Sequence, residues 1–210
     1  MVDVNAQNLL ILVLILLFSM SLHEMMHAFT SHWLGDDTAY HQGRVTFNPL
    51  AHIDPFYTVL LPIVSFITFG ALFSIAKPVQ VNFRRLRYGE FGGAIVAMVG
   101  PLTNLVIAVL AAVIFNHAAP IQGSAEYNAF RIAIELNTVL FIFNSIPWPP
   151  LDGSRLLYAF APRPLQEFME RIESTGYTSI FALILVIYLF GSPIQSLMDK
   201  IVHLLAPALI

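Results

Sequence analysis

The feature that most constrains this chain is a pair of histidines one helical turn apart, directly after a long apolar run. Residues 9–18 are all apolar and lead into the motif H-E-M-M-H, in which His23 and His27 flank Glu24. Residues four apart lie on one face of a helix, so both imidazoles can reach one metal ion, with Glu24 beside them. The alternative is two core histidines and a buried glutamate with local partners. Because an unpaired glutamate is costly in hydrocarbon, the apolar context favours a functional site.

Composition places the chain in a membrane. Of its 210 residues, 57% are hydrophobic and only 11% are charged, whereas an ordinary soluble domain is about 25% charged. We therefore expect one domain, residues 1–210, that is an all-α polytopic membrane protein in the lipid bilayer. The net charge of −3 and the lack of a basic tract exclude a nucleic-acid partner. With no cysteine, any metal must be held by His, Asp or Glu, a donor set that suits zinc.

Apolar runs predict about four to six transmembrane helices. The first helix is expected over 9–34, with Gly35 as its stop residue. Pro62 and Gly70 interrupt the run 55–76, so this segment is expected to be broken or re-entrant. Further spans are predicted at 91–115, 127–146 and 175–190, followed by an amphipathic helix in the membrane interface at 194–205.

Two short stretches have the pattern of β-strands. Residues 43–48 read G-R-V-T-F-N, and in residues 77–83 the apolar Val79, Val81 and Phe83 alternate with polar residues. Because they flank the run 55–76, the two stretches predict a small β-hairpin.

Basic residues predict the orientation. Eight of the ten Lys and Arg residues fall in the stretches 35–54, 77–90 and 155–173. Cytoplasmic loops are rich in Lys and Arg, so these stretches are expected in the cytoplasm and the N-terminus outside. The first two stretches share a side only if the run between them returns. This arrangement puts the histidine pair toward the cytoplasmic half of the membrane.

A catalytic zinc site needs a third protein ligand besides the histidine pair and an open position for water. Asp152 is the strongest candidate, because it follows a predicted span and the prolines of N-S-I-P-W-P-P-L-D-G. Its alternative role is that of a plain helix N-cap, and context alone leaves both roles open. The candidates are Asp36, Asp37, His41, His52, Asp54 and Asp152.

Taken together, three motifs resemble the site-2 protease family of intramembrane zinc metalloproteases. They are H-E-M-M-H in an apolar helix, G-P-L-T-N at 100–104 and N-S-I-P-W-P-P-L-D-G at 144–153. The stretches A-H-I-D-P at 51–55 and A-K-P-V-Q-V-N at 76–82 resemble its compact bacterial and archaeal branch, which has no PDZ or CBS domain.

The resemblance implies a site and a reaction. One Zn²⁺ per chain would be held by His23, His27 and Asp152, with Glu24 as the catalytic base. The substrates would be single-span membrane proteins, cut in or near the bilayer. An oligomeric state is not implied.

Two asparagines in these motifs are candidates for contacting substrate. Asn104 and Asn144 could each hydrogen-bond a substrate backbone or a developing oxyanion. Equally, each could satisfy backbone groups freed by a neighbouring proline.

A function without proteolysis competes with this interpretation. The same ligands could serve a zinc-binding membrane transporter or sensor. A transporter more often has internal repeats and ionisable residues on several spans, whereas this chain concentrates such residues at one point.

Overall fold

The computed structural model describes residues 6–52, 79–174 and 177–209, and all regular structure within them is helical. Three single-turn 3₁₀ helices, Pro49–Ala51, Phe83–Arg85 and Pro207–Leu209, accompany the α-helices. The seven α-helices of the described residues are α1 (Ala6–Trp33), α2 (Thr38–His41), α3 (Glu90–Ala118), α4 (Ala125–Asn144), α5 (Gly153–Phe160), α6 (Arg163–Ser174) and α7 (Tyr177–Leu205).

Helices α1 and α3 are long and apolar enough to cross a membrane. With 28 and 29 residues, they are about 42 and 44 Å long. Both expose large apolar side chains, such as Leu14 and Leu110, which suits contact with lipid. Within the described residues only these two helices pass the test for a span, so four to six spans are not supported. The run 55–76 lies outside the described residues.

The predicted end of the first helix is confirmed. Helix α1 ends at Trp33, and Gly35 has φ +104°, the left-handed region that glycine favours. The N–H of Asp36 then donates to the carbonyl of Ser31 (2.9 Å), which satisfies a carbonyl of the last turn.

Helices α1 and α3 run antiparallel, which brings two loop regions to one end of the molecule. His23 contacts Asn104 of α3. His27, one turn later in α1, contacts Val96, which is closer to the start of α3. Beyond the helix ends, the Arg87 N–H donates to the Leu34 carbonyl (2.8 Å). The described parts of the basic stretches 35–54 and 77–90 therefore lie side by side.

The predicted β-hairpin is wrong. Residues 43–48 form turns, and Asn48 caps the 3₁₀ helix Pro49–Ala51 by accepting a hydrogen bond from the Leu50 N–H. Residues 79–82 run irregularly into the next 3₁₀ helix. The described residues of both stretches form no strand.

The hydrogen bonds of residues 79–82 explain why the alternating apolar pattern does not form a strand here. The backbone N–H of Val79 donates to Glu24 Oε2 (3.0 Å), and that of Asn82 donates to Asp36 Oδ2 (2.6 Å). These N–H groups would serve a strand ladder, but two carboxylates of the α1 region accept from them instead.

The C-terminal helix also differs from the prediction of a short span followed by a separate interfacial helix. Helix α7 continues from Tyr177 to Leu205 through Pro193. Its last turns pack into the protein, because Val202 is buried against Phe115 of α3 and Ile134 of α4. The amphipathic face that the sequence assigned to the membrane interface is therefore covered by protein at Val202, whereas Leu197 on the same face is exposed.

Candidate metal centre

Helix α1 places two imidazoles on one buried face. His23 and His27 are one turn apart, and both are buried against α3. Their Nε2 atoms lie 3.0 Å apart. The spacing of the motif therefore produces the paired nitrogens that it predicts.

Asp152, which is distant in sequence from the histidine pair, completes the cluster. Its Oδ2 lies 3.2 Å from His23 Nε2 and 3.4 Å from His27 Nε2. Although Asp152 occupies the N-cap position of α5, its side chain makes no capping hydrogen bond. The carboxylate faces the histidines rather than the helix end.

A glycine next to Asp152 permits this placement. Helix α5 starts at Gly153, packed against the backbone that follows α4, where an added Cβ would lie 2.2 Å from the Ser145 carbonyl oxygen. A backbone carbonyl cannot easily move away, so a side chain at residue 153 would displace the start of α5. The glycine of P-P-L-D-G thus fixes the position of the aspartate before it.

The hydrogen bonds of the histidines define which nitrogens are free to bind a metal. His23 Nδ1 lies 2.6 Å from Asn104 Oδ1, and His27 Nδ1 lies 2.7 Å from the Val96 carbonyl. Both oxygens can only accept, so each Nδ1 carries a proton, and in the neutral imidazole each Nε2 then carries a lone pair. Outer partners of this kind orient the histidines of metal sites.

The three converging atoms fit zinc. Two imidazole nitrogens and a carboxylate oxygen lie 3.0–3.4 Å from one another, an arrangement that a cation among them would stabilise. Ligand atoms about 2.1 Å from one tetrahedral ion are about 3.4 Å apart, close to these separations. His23, His27 and Asp152 are also the group that can hold a metal within the described part of the chain.

Glu24 lies beside this cluster and is buried. Its Oε2 accepts the backbone N–H of Val79 at 3.0 Å, across 55 residues of sequence. This contact holds the carboxylate next to the histidine pair without making it a third ligand. The sequence does not predict this contact with Val79, because every residue except proline has a backbone N–H.

Asn104 is enclosed in a chain of hydrogen bonds rather than open to substrate. It has no exposed surface, and its Nδ2 donates to Asn137 Oδ1 (3.0 Å). Asn137 in turn donates to the Ala133 carbonyl (2.9 Å). Asn137 is absent from the candidates taken from the sequence, although an amide side chain at the centre of the predicted span 127–146 was a usable signal.

The second predicted asparagine makes a local contact. Asn144 is half-buried, and its Nδ2 donates to the Leu140 carbonyl of the same helix (3.0 Å). A role in substrate binding remains a prediction for this residue.

The other candidates for a third ligand have different partners. Asp36 is fully buried and bonds Thr38 and Asn82. Asp37 pairs with His32. The remaining three are His41, whose ring packs on Tyr40, His52, which bonds the Thr46 carbonyl, and Asp54, which lies outside the described residues.

Curated proteins of known name resemble this chain over most of its length. It is 35% identical over 192 residues to "Putative zinc metalloprotease YwhC" of Bacillus subtilis (strain 168), covering 88% of this chain and 82% of that protein. It is 26% identical over 170 residues to "Putative zinc metalloprotease Rip2" of Mycolicibacterium smegmatis, covering 80% of this chain and 64% of that protein.

A third relative, the protein named Rip2 of Mycobacterium tuberculosis (strain H37Rv), is 29% identical over 183 residues, which are 84% of this chain and 65% of that protein. The chain thus spans slightly less than two thirds of either Rip2 protein. No family model and no solved structure matches the chain. On its identity to the Bacillus protein and the extent of that match, the chain belongs to the site-2 protease family of zinc metalloproteases, and its cofactor is zinc.

Proposed function

We propose that the chain is an intramembrane protease that hydrolyses peptide bonds in or near transmembrane segments of membrane proteins. One observation carries the proposal: two imidazole nitrogens and a carboxylate oxygen converge within 3.4 Å beside a buried glutamate, on the face of an apolar helix. His23, His27 and Asp152 bind one zinc ion per chain, which leaves a fourth position for water or substrate.

The chain crosses the membrane several times, with its N-terminus outside and the active site toward the cytoplasmic half. The positions of the basic residues support this orientation. Helix α1 ends at Trp33, about 15 Å beyond His23 and about 9 Å beyond His27. The site thus lies within the apolar layer but near the end of the molecule where Arg84, Arg85 and Arg87 are found.

The chain's own residues perform the proton transfers. When bound, zinc supplies the Lewis acidity that activates a water molecule and polarises the scissile carbonyl. Glu24 accepts a proton from that water as the water oxygen adds to the carbonyl carbon. It then delivers the proton to the leaving amine as the C–N bond breaks. Oε2 accepts the Val79 N–H, which leaves Oε1 and the second lone pair of Oε2 to take the proton.

The groups that hydrogen-bond the two histidines hold these rings in position during the reaction. Asn104 and the Val96 carbonyl hold the two Nδ1–H groups, so both Nε2 lone pairs stay directed at the same point. The substrates are single membrane-spanning segments, as the family resemblance implies. Asn144 is the candidate for contacting the substrate backbone, because its bond to the Leu140 carbonyl uses one N–H and leaves the amide oxygen available.

The experiment compares wild type with Glu24→Gln in a cleavage assay on a labelled transmembrane peptide, with zinc content measured on the same preparations. Glutamine keeps the shape but cannot accept the proton, so we expect retained zinc and cleavage that is about 10²–10⁴-fold slower. A chelator should stop wild-type cleavage. Wild-type cleavage rates in a zinc-loaded Glu24→Gln protein would contradict the mechanism. A zinc-binding protein that never cleaves would instead be the transporter or sensor.

A further inference from the structure

Helix α3 contains a glycine at the point where it faces the histidine pair. Gly100 is buried in the interior of α3, 11 residues after the N-cap Gly89. Glycine is disfavoured relative to alanine inside a helix. A glycine at this position is therefore expected where the absence of a Cβ has an advantage that offsets its cost to helix stability.

The space around Gly100 identifies that gain. A Cβ at this position would lie 2.4 Å from His27 Nε2, 2.6 Å from His23 Nε2 and 2.6 Å from His27 Cε1. These distances are far below any contact that a real Cβ makes. A methyl group at residue 100 would thus overlap the two nitrogens whose lone pairs converge.

We propose that Gly100 keeps the coordination space of the metal open. Without a Cβ, both imidazoles can bring Nε2 against α3 while each Nδ1 keeps its partner. With a Cβ, at least one ring must swing away, which breaks its bond to Asn104 or to the Val96 carbonyl. This inference rests on the proposed zinc site and assigns Gly100 as a positioning residue for its ligands.

Close approach of two helices is the other common reason for a buried glycine. The contacts at Gly100 differ from that case, because its three nearest atoms all belong to histidine rings. Two other glycines of α3 serve packing: an added Cβ would meet the Arg87 carbonyl at Gly92 (2.1 Å) and the Phe83 ring at Gly93 (3.0 Å). Gly93 and Gly191, which has no atom within 4 Å of an added Cβ, supply matched controls.

The test measures zinc binding to the purified 210-residue chain carrying Gly100→Ala, Gly93→Ala or Gly191→Ala. We expect Gly100→Ala to bind zinc about 10–100-fold more weakly, the range typical of losing the outer partner of a metal ligand. At the same zinc concentration, its melting temperature should rise less than that of wild type. Both controls should bind zinc as wild type does. Wild-type zinc affinity in a folded Gly100→Ala protein would overturn the inference while leaving the zinc site itself intact.

A second comparison tests the inference if the single variant Gly100→Ala does not fold. In a His23→Ala/His27→Ala background the methyl group has room, so adding Gly100→Ala should leave the melting temperature equal or higher. A lower melting temperature there would mean that the methyl meets something other than the histidines, and the inference would be wrong. If wild type itself bound no zinc, the proposed function would fail instead.

Discussion

Replacing Asn104 with alanine tests whether this residue orients a ligand or contacts substrate. The substitution removes the acceptor of the His23 Nδ1–H (2.6 Å) and the donor to Asn137 Oδ1 (3.0 Å). Both stranded groups are buried, and each costs about 1–3 kcal/mol when unsatisfied. His23 also loses the bond that fixes its tautomer and ring position. Loss of such a partner lowers metal affinity about 10–100-fold, or roughly 1.4–2.7 kcal/mol.

Zinc affinity, measured by competition with a chromophoric chelator, separates the two roles of Asn104. The control is Asn144→Ala, because Asn144 bonds only Leu140 of its own helix among the described residues. We expect weaker zinc binding in Asn104→Ala and unchanged zinc binding in Asn144→Ala. If folded Asn104→Ala bound zinc like wild type but cleaved slowly, Asn104 would act on substrate, and the orienting role would be refuted.

Two further predictions follow from the placement of loops. Gly153→Ala should destabilise the fold by about 1–3 kcal/mol and lower zinc content, because its Cβ would meet a backbone carbonyl at 2.2 Å. An unchanged melting temperature and zinc content would contradict this. The chain has no native cysteine, so single cysteines at the exposed Tyr40 and Tyr88 can be labelled in intact cells or inverted vesicles. Both should react from the same side, and reaction from opposite sides would rule out a shared side for the two loops.

The sequence predicted the core of the site because its information is local. The i,i+4 spacing of His23 and His27 fixes their common face in any helix, and Gly35 marks the end of that helix by its backbone conformation. Asp152 is different, since a carboxylate before a helix is equally suited to capping. The resemblance to a known family favours the ligand role, and in the structure the Asp152 carboxylate faces the histidines and makes no capping bond.

Elements that depend on distant partners were harder to predict. Alternating Val79, Val81 and Phe83 describe an extended chain, but not whether a strand or two carboxylates will accept its N–H groups. The amphipathic end of α7 likewise does not specify whether lipid or protein covers its apolar face. In the structure, Val202 packs against protein. Asn104 became an outer partner of His23 because antiparallel α1 and α3 align them, a register that residue type does not encode.

The most direct measurement of the central claim is the zinc content of Asp152→Ala. Asp152 is the proposed third ligand, and its Oδ2 lies within 3.4 Å of both histidine nitrogens. Asp37→Ala is the control, because the side chain of Asp37 is half-exposed and pairs with His32 instead. Wild type and Asp37→Ala should each carry one zinc per chain, and Asp152→Ala should lose most of it. Full zinc retention by folded Asp152→Ala would contradict the assignment of the metal centre.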